Sequence, residues 1–348
     1  MISILGWDIG AANVKAAWLA WDRNCEEQVR AFSQPFEIWR DKNQLPRILR
    51  IVYGAVAQEI PPRAMAMTMT AELSDAFASK REGVLFVMDC VQACFPEVGI
   101  YCLNLSGKFV EISEARAHPL EFAAANWLAS ALWISRQLPN CLLLDVGSTT
   151  TDILPILDGQ VYVSRRTDLG RLSSGELVYT GALRTNLAAI VQSLPVAGKM
   201  CRVASEYFAI SGDVHLVLGT LNPQDYTCPT PDGQPPSVDS ARRRIARIVC
   251  ADDEMLSTAE IDELARHIYG RQVRQIQDGI HQVLSRLPQL RNQPVVVFGA
   301  GSFLGKAAAE GMGLEILDLK GDWDREKRSV APCISAARLL AEHMAGLE

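Results

Sequence analysis

Two short stretches of this sequence carry the same order of side chains, and that order suits anion chemistry. In GWDIGAANVK, Asp8 precedes Gly10, a pair of alanines, Asn13 and Lys15. In LLDVGSTTTD, Asp145 precedes Gly147, Ser148, Thr149, Thr150 and Asp152. Superposed, Asp8 falls on Asp145, Gly10 on Gly147, Asn13 on Thr150 and Lys15 on Asp152, an internal repeat. A glycine after a strand-end aspartate lets the backbone turn tightly, and the amides and hydroxyls beyond it can donate to phosphate oxygens. Asp8 and Asp145 are suited to holding Mg²⁺ or its waters, because this hard cation prefers carboxylate oxygen. Lys15 can neutralise phosphate directly. A third glycine turn, FGAGS, places Gly299, Gly301 and Ser302 after an apolar run. A single D-x-G reads as a tight hairpin, whereas two copies and a third turn favour a phosphate site.

Further candidates are less specific. Glu72, in TMTAELSD, has two readings: it accepts a proton or places substrate, or it is a helix-start carboxylate held by local amides. Arg184, in TGALRT, can grip a substrate carboxylate or phosphate with its planar fork, or pair internally with Glu176. The five histidines are dispersed, outside any metal-ligand or nucleophile spacing, and read as structural. Cys90 and Cys94 can share a helix face, but a zinc site is not favoured. Trp127 and Trp133 read as core.

The elements that must position these residues follow from hydrophobic periodicity. ISILGWDIGAANVKAAWLAWD reads as strand, turn, strand; PRAMAMTM as a strand whose end carries Glu72; Val84 to Met88 as another buried strand. EFAAANWLASALWISRQL reads as a packed helix. CLLLDVGSTTTDILPILDGQV repeats strand, turn, strand and reaches Asp158-Gly159, a hairpin signal. Residues 221–240 hold five of the seventeen prolines and read as an exposed loop. Ser257 and Glu260 have capping-box spacing ahead of a long helical repeat through about Leu287. PVVVFGAGSFLG reads as strand, turn, helix, and Pro332 opens a final packed helix.

At 348 residues the chain exceeds the size at which single cores stop growing, so two domains sharing a cleft are expected. The boundaries are drawn at 1–139 with a returning 332–348, and 140–331, the latter holding the loop and a helical subdomain at about 241–290. Hydrophobic residues make up 49% and charged residues 21%, a globular balance. A net charge of −6 with scattered basic residues argues against nucleic acid as a partner. The cluster Arg242, Arg243, Arg244 and Arg247 reads as a solvated helix face. No signal peptide or membrane span is visible in the pattern, and nine unpaired-looking cysteines suit a reducing cytoplasm. The expected partners are small molecules, with self-association left open.

The segments at Asp8 to Lys15, Asp145 to Asp152 and FGAGSF from Phe298 resemble, in order, the first phosphate, second phosphate and adenosine segments of the actin/sugar-kinase/Hsp70 superfamily. The resemblance implies a two-domain actin-like (ribonuclease H-like) ATPase fold with a helical insertion. DVGSTTTDI is similar to the hydantoinase/oxoprolinase branch. GWDIGAANVKAA, TMTAELSD, ANWLASA, DVGSTTTDILP, RLSSGELVYTGALRT and FGAGSFLG together resemble a small family of tetrahydromethanopterin-linked one-carbon pathway proteins over nearly the whole chain. That family implies methanofuran-type cofactor synthesis. A furan diphosphate would alkylate the phenol of a γ-glutamyltyramine-like or tyrosine-like acceptor, releasing pyrophosphate with Mg²⁺ at the phosphate loops. Ala11 and Ser148 depart from glycines of the pattern, both keeping a small side chain. The same turns serve ATP in small-molecule kinases and hydantoinase-like amidohydrolases, and nucleotide in switched binding proteins. Those remain the alternative readings.

Overall fold

The computed structural model of the chain describes residues 2–21, 27–57, 60–319, 323 and 325–346. Contacts divide it into two compact units: 1–140 with 156–170 and 319–348, and 141–155 with 171–318. Segments 156–170 and 319–331 therefore group with the first unit.

The first unit is built on strands β1 (Ile2–Ile9), β2 (Asn13–Trp21), β3 (Glu27–Pro35), β4 (Ala64–Met69), β5 (Gly99–Leu103) and β6 (Phe109–Glu111), in the order β3-β2-β1-β4-β5-β6. β1 to β3 form an antiparallel meander, and β4 and then β5 add in parallel. Because side chains alternate across a strand, Leu5, Trp7 and Ile9 of β1 join one core. Their partners there include Leu45, Leu49 and Val52 of helix α1 (Leu45–Val56) and Val84, Val87 and Met88 of α2 (Lys80–Cys94). Short α3 (Ile112–Ala115) follows β6, and α4 (Asn126–Gln137) packs against the chain-terminal helix α11 introduced below.

Val84 to Met88 lie in α2, not in a strand. Ser79 accepts from the Glu82 amide as N-cap, and Val84, Val87, Met88 and Val91 are all buried at helical spacing. A five-residue apolar run cannot separate the two periods; the cap ahead of it does.

The second unit repeats the arrangement around β7 (Cys141–Val146) and β8 (Thr151–Leu157). β9 (Gln160–Val161), in the segment that groups with the first unit, turns back on the Ile156–Leu157 end of β8 through Asp158 and Gly159, both at positive φ, as the hairpin signal required. α5 (Asp168–Ser174) leads to β10 (Leu177–Val178), and β11 (Ser193–Val196) and β12 (Lys199–Arg202) form a separate hairpin. With β13 (Val295–Phe298) the sheet runs β10-β8-β7-β13, two antiparallel pairs and then a parallel one. That is the same sequence of pairings as β3-β2-β1-β4, so the sequence repeat is also a repeat of topology.

Helices α6 (Ser211–Val217), α7 (Val238–Arg247) and the 29-residue α8 (Thr258–Arg286) build the helical part. α8 begins with the predicted Ser257–Glu260 capping box. α9 (Ser302–Gly311) follows β13, and α10 (Arg325–Ser329) and α11 (Ala331–Ala345) close the chain in the first unit. Gly6 permits α11 to lie against β1: a Cβ there would meet the Cys333 carbonyl oxygen at 1.9 Å. Most of 221–240 is irregular as expected and half of it is exposed, but Leu221 and Tyr226 are buried, and Tyr226 donates to Asp213 at 3.1 Å.

The arginine cluster is a solvated face only in part: Arg243 and Arg247 are exposed, Arg242 is half-buried and Arg244 is buried. Arg242 bonds Asp262, Arg243 bonds Asp253, and Arg247 bonds Asp232. Arg244 is fully buried and donates twice to Asp213, at 2.9 and 2.7 Å, and once to Asp232. Periodicity put the four on one helix, and acids up to 31 residues away, supplied by tertiary folding, pair with them.

Candidate functional site

In the first unit the β1–β2 turn is closed by the Gly10 amide donating to the Asn13 carbonyl at 2.9 Å. The Thr70 amide at the end of β4 donates to Ile9, and the amides of Phe36 and Ile38 donate to Ala12 and Ala11, so the turn is braced from both sides. Asp8 is buried and lies across from Lys15 in the β1–β2 register, their charged atoms 3.9 Å apart. Lys15 also donates to the Ser329 carbonyl at 3.2 Å.

In the second unit the β7–β8 turn closes identically, the Gly147 amide donating to Thr150 at 2.8 Å. Its carbonyls are committed to the segment after β10: Ala182 donates to Gly147, and Leu183 and Arg184 to Ser148. Gly181 makes this approach possible, since a Cβ there would sit 2.5 Å from the Thr149 nitrogen. Gln272 and Ser211 hold the Gly181 carbonyl at 2.8 Å each. With the carbonyls so occupied, the amides and hydroxyls of Ser148, Thr149 and Thr150 are what this loop can offer an anion.

The third turn touches the second directly. Gly299 has φ +88°, and a Cβ would collide with the Val146 carbonyl at 2.2 Å and the Asp145 carboxylate at 2.7 Å. The Gly301 amide donates to the same Val146 carbonyl at 2.8 Å, and Ser302 opens α9. Phe298 lies beside Asp145 in the parallel register, so FGAGS and DVGSTTTD form one neighbourhood. The demand for glycine differs from the expectation in one respect. Gly10 and Gly147 do not have positive φ, whereas Gly299 does. At Gly147 the nearest atom to a Cβ is the Thr150 carbonyl at 3.5 Å, so what glycine keeps there is space above the loop.

Asp152 at the base of β8 is bonded by Arg171 of α5, a buried arginine that periodicity did not single out. Glu176 accepts from Ser174 and Arg286. The backbone of Arg184 braces the Ser148 loop through its amide.

Glu72 sits one residue into a short 3-10 turn, Ala71–Leu73, beyond the end of β4. It is 1% exposed, and neither carboxylate oxygen accepts a hydrogen bond of normal geometry among the described residues. The amides that bear on it, its own and that of Ala124, do so without normal hydrogen-bond geometry. Burial pushes the carboxyl up to about 7, against smaller downward pulls from the amides of Glu72 and Ala124 and from Lys80. A carboxyl poised there can hold or release a proton at neutral pH. Its seat depends on Gly83 of α2, where a Cβ would lie 2.6 Å from the Glu72 Cα.

Among the described residues no three of His, Cys, Asp or Glu gather into a group that could hold a metal. His215 is fully buried, its ring pushed down to about 3 by desolvation, consistent with a structural role. No helix among the described residues is long and apolar enough to cross a membrane.

Two sheets with this strand order, each carrying an aspartate at the end of its central strand, define an actin-like, ribonuclease H-like α/β fold. A nucleotide-free acetone carboxylase structure shares that fold at TM-score 0.54 and 10% identity, covering 96% of this chain and 70% of the other. The hydantoinase/oxoprolinase family model matches residues 63–343, and the chain belongs to that family. Two archaeal relatives bear the name (4-{4-[2-(gamma-L-glutamylamino)ethyl]phenoxymethyl}furan-2-yl)methanamine synthase. The protein of Methanocaldococcus jannaschii is 33% identical over 99% of both chains. That of Methanococcus vannielii is 34% identical over 59% of this chain and 92% of its own length. With synthases as its relatives, the chain is an enzyme.

Proposed function

We propose that the chain is a transferase that joins an aminomethylfuran-methyl diphosphate to the phenol oxygen of a γ-glutamyltyramine-like or tyrosine-like acceptor, releasing pyrophosphate, in methanofuran- or methylofuran-type cofactor synthesis. The observation that carries this reading is the end-to-end 33% identity to the M. jannaschii synthase, whose name describes a phenoxymethyl ether on a furan methanamine. Building that ether forms one C–O bond between the phenol oxygen and the furan methylene. The bond from the same carbon to the diphosphate oxygen breaks, the electron pair leaving with pyrophosphate, and the phenol proton has to go elsewhere.

The residues divide that work. Glu72, raised toward neutrality by its burial, takes the phenol proton. In the second unit Ser148, Thr149 and Thr150, with Gly299, Gly301 and Ser302 on the third turn, are the phosphate-holding candidates; in the first unit Gly10 and Asn13 are, with Lys15 to offset charge. Asp152, bonded by Arg171, sits below the second loop as a further candidate catalytic carboxylate. Arg184 is proposed to bind a substrate carboxylate or phosphate with its fork. Asp8 and Asp145 are hard oxygen donors at equivalent strand ends, a donor type that fits Mg²⁺, which takes one or two carboxylates and keeps its remaining waters. Bound there, Mg²⁺ would supply charge stabilisation to the departing diphosphate.

The test is product analysis. Purified protein, Mg²⁺ and furan diphosphate are combined with tyrosine, tyramine and their γ-glutamyl forms. Pyrophosphate and the matching aryl ether are expected with at least one acceptor. Formation of ADP from ATP and acceptor, with no ether from any furan diphosphate mixture, would replace this reading with a kinase.

A further inference from the structure

The buried carboxyl of Glu72 has an electrostatic setting of its own. The 3-10 turn that carries it rests on the first turns of α2, whose Gly83 allows the two backbones to approach. α2 begins at Lys80, and the Lys80 ammonium is bonded at 3.0 Å to Asp168, the first residue of α5 and part of the same unit. The pair is half-buried, its side chains 33% and 16% exposed. Two kinds of group bear on Glu72: the charges of Lys80 and Asp168, and the backbone amides of Glu72 and Ala124. Glu82, another ionisable side chain on the same stretch of α2, is turned away, accepting from the Ala78 amide and from Lys42. A lysine near a buried carboxylate would ordinarily form its salt bridge with it. Here the lysine is held by a second acid, and neither Glu72 oxygen takes a salt bridge or a hydrogen bond of normal geometry among the described residues.

We propose that the Lys80–Asp168 ion pair is a positioning device for Glu72: by anchoring the ammonium group on Asp168 it withholds a direct salt bridge from the Glu72 carboxyl and so sets that group's proton affinity. Its bearing on catalysis rests on the reading of Glu72 as the base for the phenol. The device has a physical logic. A carboxylate locked in a salt bridge is a weak base, and one with no cation nearby stays protonated and cannot accept at all. An ammonium close by but committed elsewhere leaves the carboxyl between those limits.

The two halves of the pair act with opposite sign, which a purely structural role cannot imitate. Asp168→Asn removes an acid that raises Glu72 and frees Lys80 to approach it, so the Glu72 titration should move to lower pH by about one unit. Lys80→Met removes the cation and leaves the acid, so the titration should move to higher pH. The titration is read directly in full-length protein labelled with ¹³C at the glutamate carboxyls, the Glu72 signal being the one absent from Glu72→Gln. Ether formation is followed over the same pH range. Opposite shifts in the two variants support the proposal, and an acid limb of kcat that follows them supports the base role as well. Shifts in the same direction, or none in variants whose spectra show the native fold, overturn it. If the titration shifts oppositely while the pH dependence of kcat stays fixed, the ion pair's role stands and the base role of Glu72 falls.

Discussion

Replacing Glu72 by glutamine separates a carboxyl kept for its proton from one kept for its shape. The folded carboxyl titrates near 7 against an ordinary value of 4.5, a difference caused chiefly by desolvation. A folded-state value raised above the unfolded one means the native protein binds the extra proton. The corresponding stability is present in full below pH 4.5 and is lost as pH rises through 7. At pH 8 wild type carries a buried charge whose cost, from the size of that shift, is on the order of 3 kcal/mol. Glutamine has nearly the same volume and no charge. Glu72→Gln should thus match wild type in stability at about pH 4, exceed it progressively between about pH 4.5 and 7, and keep a constant margin above that, measured as denaturation midpoints from pH 4 to 9. Turnover should move the other way, falling on the order of a hundredfold or more with loss of the general base. It should recover partly as pH approaches the phenol's own pKa of about 10, where solvent supplies phenolate. A variant that is less stable at every pH yet turns over normally once folded would refute the reasoning and make Glu72 a structural carboxylate.

Gly299→Ala forces a side chain into a φ of +88° and against the Val146 carbonyl and Asp145. A loss of about 3 kcal/mol in unfolding free energy, read by urea denaturation, is expected, together with weaker diphosphate binding. Gly147→Ala, by contrast, meets nothing closer than 3.5 Å and should fold normally. Pyrophosphate inhibition that is equal in wild type and in this variant would remove the loop from the phosphate site. Arg244→Met leaves Asp213 buried without its partner and should cost about 3–5 kcal/mol, read by urea denaturation. Asp145→Asn should abolish Mg²⁺-dependent turnover while leaving the circular dichroism spectrum unchanged; retained metal dependence would exclude Asp145 as a ligand.

The sequence by itself determined the repeat. Two D-x-G turns at strand ends, the Asp158-Gly159 hairpin and the Ser257–Glu260 cap depend on neighbours within a few residues, and local backbone sterics decide them wherever the rest of the chain goes. It also marked Glu72 by its place after β4. Tertiary structure alone decided what surrounds these groups. Gly181 approaches the Ser148 loop from 32 residues beyond Thr149, Gly299 braces Asp145 across a parallel strand pair, and Asp213 reaches Arg244 through the packing of α6 on α7. Val84 to Met88 went to a helix because Ser79 caps it and its apolar stripe packs on the sheet. The proton affinity of Glu72 is the fullest case. Type and position name a carboxylate, but its burial and the Lys80–Asp168 pair are contributed by residues up to 96 positions away. Desolvation and charge act through space, and periodicity along the chain carries no record of them.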